Sequence, residues 1–302
     1  MKVLITGVNG FLGRNIAKTL SHSGYKIRGI DIHKEAISNY LDHYDSGSIL
    51  DKDFISSKIE DSDVVIHLAA ITAHAEIIDK KYETLDINLD GTKNILSAFN
   101  ASRKARKFIY ASTGKVYGKI LELPLFEEST TDPINILGKS KLIAERLIDF
   151  YSTNDKSYIT FRIFQAYGTG QVDHFLIPTI IKQIDFGSKN EQKIILGDIR
   201  AKRDYIHVDD VAYAFNLAIS TETANGNEIF NLSSGHALTA EEIVRQIEDL
   251  CDLRIDIQTD QSLFRSDEES IEYGSYAKAE KYLGWKPKLT IREGLHKIIK
   301  EL

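Results

Sequence analysis

Thr6-Gly7-Val8-Asn9-Gly10-Phe11-Leu12-Gly13 is the stretch on which the fold turns. The run before it, Lys2–Thr6 (KVLIT), is apolar and has the length of one buried strand. After it, residues 11–21 put Leu12, Ile16 and Leu20 on one helix face, with Gly24 as the stop. Glycines at 7, 10 and 13 thus fall between a strand and a helix as G-x-x-G-x-x-G. Gly7 permits the tight turn, Gly10 lets a diphosphate approach the backbone, and Gly13 lets the helix pack close to the strand. Free N–H groups at the helix start then attract the phosphates. Glycines serving turn geometry alone are the alternative. Asp31 ends the next apolar run, 18 residues beyond Gly13. A carboxylate there accepts from a ribose 2′-hydroxyl and repels a 2′-phosphate, so NAD rather than NADP is the expected cofactor. Lys34, close by, is a cation that could tolerate the phosphate.

Further along, short apolar runs at 63–70, 107–112 and 158–163 alternate with helix-period stretches at 80–100 and 138–151. Strands apolar throughout and separated by helices predict a doubly wound parallel sheet, the α/β Rossmann class, with right-handed crossovers. After residue 165 the pattern loosens into a short strand at 193–196, a helix at 240–250 and turn-rich connections. The expected organisation is a Rossmann domain over 1–165, with a returning segment near 204–222, and a smaller C-terminal α/β lobe over 166–302. The net charge of −6 comes with no long basic run, which argues against nucleic acid or an anionic membrane as partner. No apolar run approaches the ~18 residues of a membrane span, and MKVLITGVNG opens as strand and turn rather than as a signal peptide. Cys251 is the only cysteine, which excludes an intrachain disulfide and a cysteine zinc cage and suits a reducing cytosol. It reads as a small apolar residue near a helix end. The nine histidines lack ligand spacing, so no metal site is expected.

Later segments carry a resemblance over nearly the full length. His67-Leu68-Ala69-Ala70, Asn88-Leu89-Asp90-Gly91-Thr92, Ala111-Ser112-Thr113-Gly114-Lys115-Val116-Tyr117-Gly118, Phe161-Arg162-Ile163-Phe164-Gln165-Ala166-Tyr167-Gly168, Arg203-Asp204-Tyr205-Ile206-His207-Val208-Asp209-Asp210 and Leu283-Gly284-Trp285-Lys286-Pro287 follow in order. Together with the glycine loop, they resemble the nucleotide-sugar epimerase/dehydratase branch of the extended short-chain dehydrogenase/reductase superfamily. The resemblance implies cofactor contacts from Gly7, Gly10, Phe11, Leu12, Gly13, Asp31, Ile32, Leu68, Ala69, Ala70, Asn88, Ala111, Lys141 and Phe164. It makes 1–165 the NAD-binding domain and the second lobe the substrate side. Helices near 84–99 and 138–151 pair across a two-fold axis in that family, which implies a homodimer.

In the resembled family a Ser/Thr, a Tyr and a Lys four residues after the Tyr form the active site. Thr113 and Lys141 match the first and last; the Tyr position is Leu137. Leucine carries no titratable group, and a positioned acid/base is worth about 10²–10⁴ in rate. Some membrane-linked dehydratases of the superfamily also lack the Tyr and use the Asp of an S-T-D-K segment. Here the segment is Ser112-Thr113-Gly114-Lys115, so that Asp is absent too, and the Asp-Glu pair of the soluble 4,6-dehydratases is Gly114-Lys115. Candidates for the missing group each have a plainer reading. Lys115 could titrate if desolvated, or be a surface lysine. Tyr117 could face the sugar, or be packed in its turn. His74, in the loop after the 63–70 strand, could be an acid/base or a solvated histidine. His207 could act, or lie in the core.

On the substrate side the resemblance implies Thr113, Gln165 (where Asn is usual), Leu196, Arg203 and Arg265, the arginines gripping a pyrophosphate. Ion pairs and an ordinary strand are the alternatives for these positions. The leading expectation is an NAD-dependent oxidoreductase or epimerase that moves hydride at the sugar 4-position of a nucleoside-diphosphate sugar. The alternatives are a 4-ketosugar reductase or dehydratase-like enzyme with a relocated acid/base, and a binding protein that has lost turnover.

Overall fold

Strands Lys2–Thr6 (β1), Lys26–Asp31 (β2), His43–Ser46 (β3), Val64–His67 (β4), Lys107–Thr113 (β5) and Ser157–Ile163 (β6) line up side by side, all parallel, in the order 3-2-1-4-5-6. The computed structural model describes residues 1–188, 190–221, 226–264 and 270–302. Alternate residues of β1 explain why the sheet must be covered twice. Val3 and Ile5 face a layer made by helices Phe11–His22 (α1) and, from the second half of the chain, Val208–Ser220; Leu4 faces the opposite layer. That opposite layer contains Lys52–Ile59 (α2), Thr92–Ala101 and Ile136–Tyr151. The doubly wound α/β class read from the pattern is therefore the architecture.

Between β4 and β5 the chain forms His74–Asp79 (α3), Lys81–Leu85 (α4), a wide π turn over Asp86–Gly91, and Thr92–Ala101 (α5). The continuous helix expected at 80–100 is thus interrupted. A Cβ on Gly91 would stand 2.3 Å from Ile49 Cδ1, so the turn seats closely on that side chain. The strand expected at 63–70 stops at His67. Beyond it, the Leu68 and Ala69 amides turn toward the Thr6 hydroxyl, each at 3.3 Å. Ile136–Tyr151 (α6) follows β5.

After β6 come Gln165–Tyr167 (β7), Leu176–Lys182 (α7), Gln192–Leu196 (β8), Lys202–His207 (β9), Val208–Ser220 (α8) and Gly226–Leu232 (β10). β10 runs parallel to β6 as a seventh strand of the main sheet. The returning segment is therefore longer than 204–222 at its C-terminal end, while 204–207 belong to the smaller sheet. That sheet joins β7, β9, Ala237–Leu238 (β11) and, past Ala240–Cys251 (α9) and Ile255–Thr259 (β12), Ile271–Glu272 (β13); β12 pairs β8 separately. Ala277–Leu283 (α10) and Ile291–Lys300 (α11) complete the chain, and Cys251 packs at the rim of the lobe core. Among the described residues no helix is long and apolar enough to cross a membrane.

Candidate active site

The crossing from β1 to α1 is built for close approach. Gly7 sits at φ +69°, and a Cβ on it would fall 2.7 Å from the Ala69 nitrogen; one on Gly13 would fall 2.4 Å from the Gly7 oxygen. Gly10 is different, because its Cβ would meet only the Gly7 oxygen, at 3.2 Å, and otherwise point into open space. Gly10 starts α1 with no side-chain cap, and no acidic residue stands in the first turn. The amides of Phe11, Leu12 and Gly13 there face outward as donors for an anion. Asp31, at the end of β2, accepts from the Asn9 amide at 3.0 Å, and the His33 ring lies 2.7 Å from its other oxygen. Ile32 beside it is exposed.

Behind this loop lies a closed chain of hydrogen bonds. Thr92 donates to the Asn88 carbonyl at 2.7 Å, so it accepts from His67 Nε2 at 3.0 Å. That leaves His67 Nδ1 to accept from the Thr6 hydroxyl at 2.7 Å. His67 is wholly buried; desolvation, helped by the nearby Lys141 charge, holds its pKa down to about 3, so the ring is neutral. Asn88, expected among the cofactor contacts, instead uses both amide hydrogens internally, on the Ile71 carbonyl and Ser140 Oγ, and accepts from the Ile71 amide. It fixes the segment holding Leu68, Ala69 and Ala70, because a buried amide that finds partners on two elements stays with them.

At the end of β5 the catalytic candidates come together. Lys141, on α6, donates to the Ala111 carbonyl at 2.8 Å, with Nζ 4.7 Å from the Tyr110 ring centroid. Thr113 ends the strand two residues on, and its hydroxyl accepts from the Lys115 amide at 3.3 Å. The first turn of α6 presses onto the next turn of chain: a Cβ on Gly138 would stand 2.3 Å from the Lys115 carbonyl. Leu137 is the residue before that contact, in the first turn of α6. Burial lowers the Lys141 pKa to about 7, with Glu145 opposing. An unfolded lysine keeps its proton to about 10.4. Below pH 7 both states are charged and the full cost of burial applies; from pH 7 to 10 the folded side chain sheds its proton first and stability rises. Lys141→Met is accordingly expected to raise the melting temperature, most at pH 6 and least near pH 10. An advantage that is flat across that range would count against this assignment.

The other proton-carrier candidates resolve differently. Tyr117 is buried and donates to Asn231 Oδ1 at 2.6 Å, and burial raises its pKa; it is a packed residue. His207 caps α8, its Nδ1 accepting from the Asp209 amide at 3.1 Å, and burial lowers its pKa to about 4. His74 is the first residue of α3 rather than a loop residue. Lys115 is no free surface lysine: Nζ donates to Glu272 Oε2 at 2.7 Å.

On the lobe side, Ile194 and Leu196 are buried in the lobe core, while Lys193 and Ile195 are the residues of β8 that face outward. Strand alternation thus turns Leu196 inward. Phe164 has its ring buried, close against Gly114 and Gly274, in a cluster with Val116, Tyr117 and Leu125. Gln165 opens β7, partly buried. Arg203 is buried on β9 and donates to the Lys202 carbonyl at 2.9 Å. Arg265 lies outside the described residues. Asp204 accepts from the Ser234, Gly235 and Gly274 amides and so ties three lobe segments together; burial nonetheless raises its pKa to about 6.

Two features were not found by reading residues singly. One is Glu272, whose only sequence signal is a charge set between Ile271 and Tyr273 in a short strand. The other is a buried network in which Glu145 accepts from Ser112 Oγ at 2.5 Å and from Arg162 Nη2 at 2.8 Å. Its members are far apart in the chain.

A family model described as GDP-mannose 4,6 dehydratase matches residues 4–298. The GDP-6-deoxy-D-mannose reductase of Pseudomonas aeruginosa is 30% identical over 99% of this chain and 96% of its own. A putative UDP-glucose 4-epimerase of Methanocaldococcus jannaschii is 31% identical over 98% and 97%. The solved structure of UDP-glucuronic acid 4-epimerase from Bacillus cereus, in complex with UDP-glucuronic acid and NAD, matches with a TM-score of 0.85 at 26% identity, over 100% of this chain and 99% of that one.

Proposed function

Because this chain belongs to the GDP-mannose 4,6 dehydratase family, among the NAD-dependent nucleotide-sugar epimerases and dehydratases of the extended short-chain dehydrogenases/reductases, we propose that it is an NAD-dependent nucleotide-sugar oxidoreductase or epimerase that moves hydride at the sugar 4-position. The observation that carries the reading is the uncapped start of α1 beneath the glycine crossing, with Asp31 at one side and Lys141 and Thr113 at the other. Those residues fit a nicotinamide dinucleotide. The amides of Phe11, Leu12 and Gly13 would hold its diphosphate, Gly10 would let it approach the backbone, and Asp31 would hold its adenine ribose. Leu68–Ala70 and Ala111 would line its path, and Lys141 would meet the nicotinamide ribose. When bound, the group supplies a hydride acceptor or donor. Thr113 would orient the reacting hydroxyl, and Arg203 and Arg265 the sugar diphosphate. Gln165, a methylene longer than the Asn usual in the family, would contact the sugar from a shifted position. Reduction of a 4-ketosugar is the second reading, favoured by the likeness to a GDP-6-deoxy-D-mannose reductase.

The same reading includes a homodimer through α6, where Ile143 and Phe150 are exposed two turns apart on one face. A cytosolic setting is part of it too, on the strength of a single thiol, Cys251. The test is calorimetric titration of the purified protein with NAD and NADP, followed by turnover of a panel of UDP-, GDP-, CDP- and dTDP-sugars with and without a 4-keto group. Absence of binding to either dinucleotide would sink the reading. Asp31→Asn keeps an acceptor for the Asn9 amide but removes the charge. It is expected to shift the ratio of NADP to NAD affinity about tenfold toward NADP, some 1.4 kcal/mol. An unchanged ratio would remove Asp31 from cofactor choice.

A further inference from the structure

Catalysis on the reading above needs a proton carrier at the sugar hydroxyl, and Leu137, Gly114, Tyr117, His207, His67 and Lys141 do not supply one. Leu137 holds the tyrosine position and Gly114 the aspartate position of the tyrosine-less dehydratases. Tyr117 and His207 are committed to Asn231 and to the α8 cap. His67 is neutral and bonded on both nitrogens, and Lys141 is held by Ala111.

What lies over Gly114 is a carboxylate from another part of the chain. Glu272 Oε1 is 3.2 Å from where a Cβ on Gly114 would stand, and Phe164 Cδ1 is equally close. Its second oxygen accepts from Lys115 Nζ at 2.7 Å. Any side chain at 114 would therefore press on Glu272, and the glycine is what makes room for it. β13 delivers Glu272 beside β9, where its Cα is the register partner of Arg203. One small sheet thus carries both the arginine assigned to the diphosphate and a carboxylate reaching back to Thr113–Lys115. The pair is not sealed: the Lys115 side chain is 18% exposed and that of Glu272 10%.

We propose that Glu272 is the catalytic acid/base of this enzyme, with Lys115 as its positioning partner, replacing in space the carboxylate that the sequence lacks at 114. In the oxidising direction the hydroxyl O–H bond breaks and its proton passes to the Glu272 carboxylate, which becomes the acid. The electron pair of that bond forms the second C=O bond, and the hydrogen on carbon leaves with its own pair to an oxidised nicotinamide dinucleotide. In the reducing direction Glu272 returns the proton to the ketone oxygen as hydride arrives. The Lys115 ammonium, bonded to the second oxygen at 2.7 Å, keeps the carboxylate aimed between turnovers.

This proposal rests on the function proposed above, and the experiment separates the two. Wild type, Glu272→Gln, Glu272→Asp and Lys115→Met are compared in four measurements. These are calorimetric affinity for NAD, calorimetric affinity for the best nucleotide sugar, melting temperature and single-turnover rate. Glu272→Gln is expected to lower the rate by about 10²–10⁴ with both affinities within about threefold of wild type. Glu272→Asp should recover part of that loss. Lys115→Met, which frees the carboxylate to swing, should lower the single-turnover rate by about 10–100-fold with both affinities again within about threefold of wild type. A wild type that turns over while Glu272→Gln keeps its rate within threefold overturns the acid/base role alone. A Lys115→Met rate within threefold of wild type overturns the positioning role. A wild type that binds NAD but converts no sugar overturns both. Should Glu272→Gln not fold, the Asp and Met variants carry the same decision.

Discussion

Gly13→Ala is expected to weaken NAD binding by at least about 100-fold and to cost the fold about 1–3 kcal/mol, the range for overpacking a close-packed contact. The methyl group would stand 2.4 Å from the Gly7 oxygen and 2.7 Å from Val8 Cα, and both neighbours are backbone. No rotamer relieves such a contact, so α1 must shift away from β1. The first-turn amides that would grip the diphosphate sit on the shifting end, so affinity falls with stability. Calorimetry with NAD and thermal unfolding measure the two effects. A variant with wild-type affinity would show that the start of α1 is not the diphosphate site. This geometry also explains why Gly10, whose Cβ meets only one atom at 3.2 Å, needs a ligand rather than packing to account for it.

Arg162→Leu is expected to lower stability by about 3–5 kcal/mol, because it strands a buried carboxylate. Both partners are nearly inaccessible, at 4% and 2% exposure. Arg162 Nε lies 3.2 Å from each Glu145 oxygen, Nη2 2.8 Å from Oε2, and Nη1 donates to the Glu127 carbonyl at 3.0 Å. The guanidinium also stacks 4.9 Å from the Tyr117 ring centroid. Burial alone would lower the Arg162 pKa, but the hydrogen bonds and charge of Glu145 together with Tyr117 more than offset that and the net shift is upward. For a chain this long, a fall of roughly 6–10 °C in melting temperature follows, at about 2 °C per kcal/mol. Removing Glu145 as well, in Arg162→Leu/Glu145→Leu, should restore most of the loss, since an apolar pair of similar bulk avoids the unpaired charge. A single variant within 1 kcal/mol of wild type would contradict this account. Activity is expected to drop with stability, because Glu145 is one turn from Lys141 on α6 and bonds Ser112 next to Thr113. The ion pair therefore sets the register in which α6 presents its lysine to β5.

Legibility in the sequence followed the range of the interactions. The strand, glycine turn and helix at residues 2–22 could be read directly, since their determinants are periodicity and backbone freedom within one short stretch. The same holds for the parallel order of the main strands, which continuous apolar runs imply. Element ends were less visible. β4 stops at His67, where amides from 68 and 69 turn to Thr6, and the helical stretch after it contains a π turn whose Gly91 lies against Ile49. Neither partner is near in sequence. The burial of Leu196 was hidden for a related reason: which face of a short strand is covered depends on what packs there.

Residues 2–13 are enough to read the dinucleotide-type crossing, and positions 137 and 114 show before any folding that neither carries a titratable group. What lies over Gly114 emerges only on folding, since Glu272 is 157 positions from the lysine it meets. Periodicity and spacing report local geometry, whereas a charge buried between two lobes is selected by partners that the chain brings together only on folding.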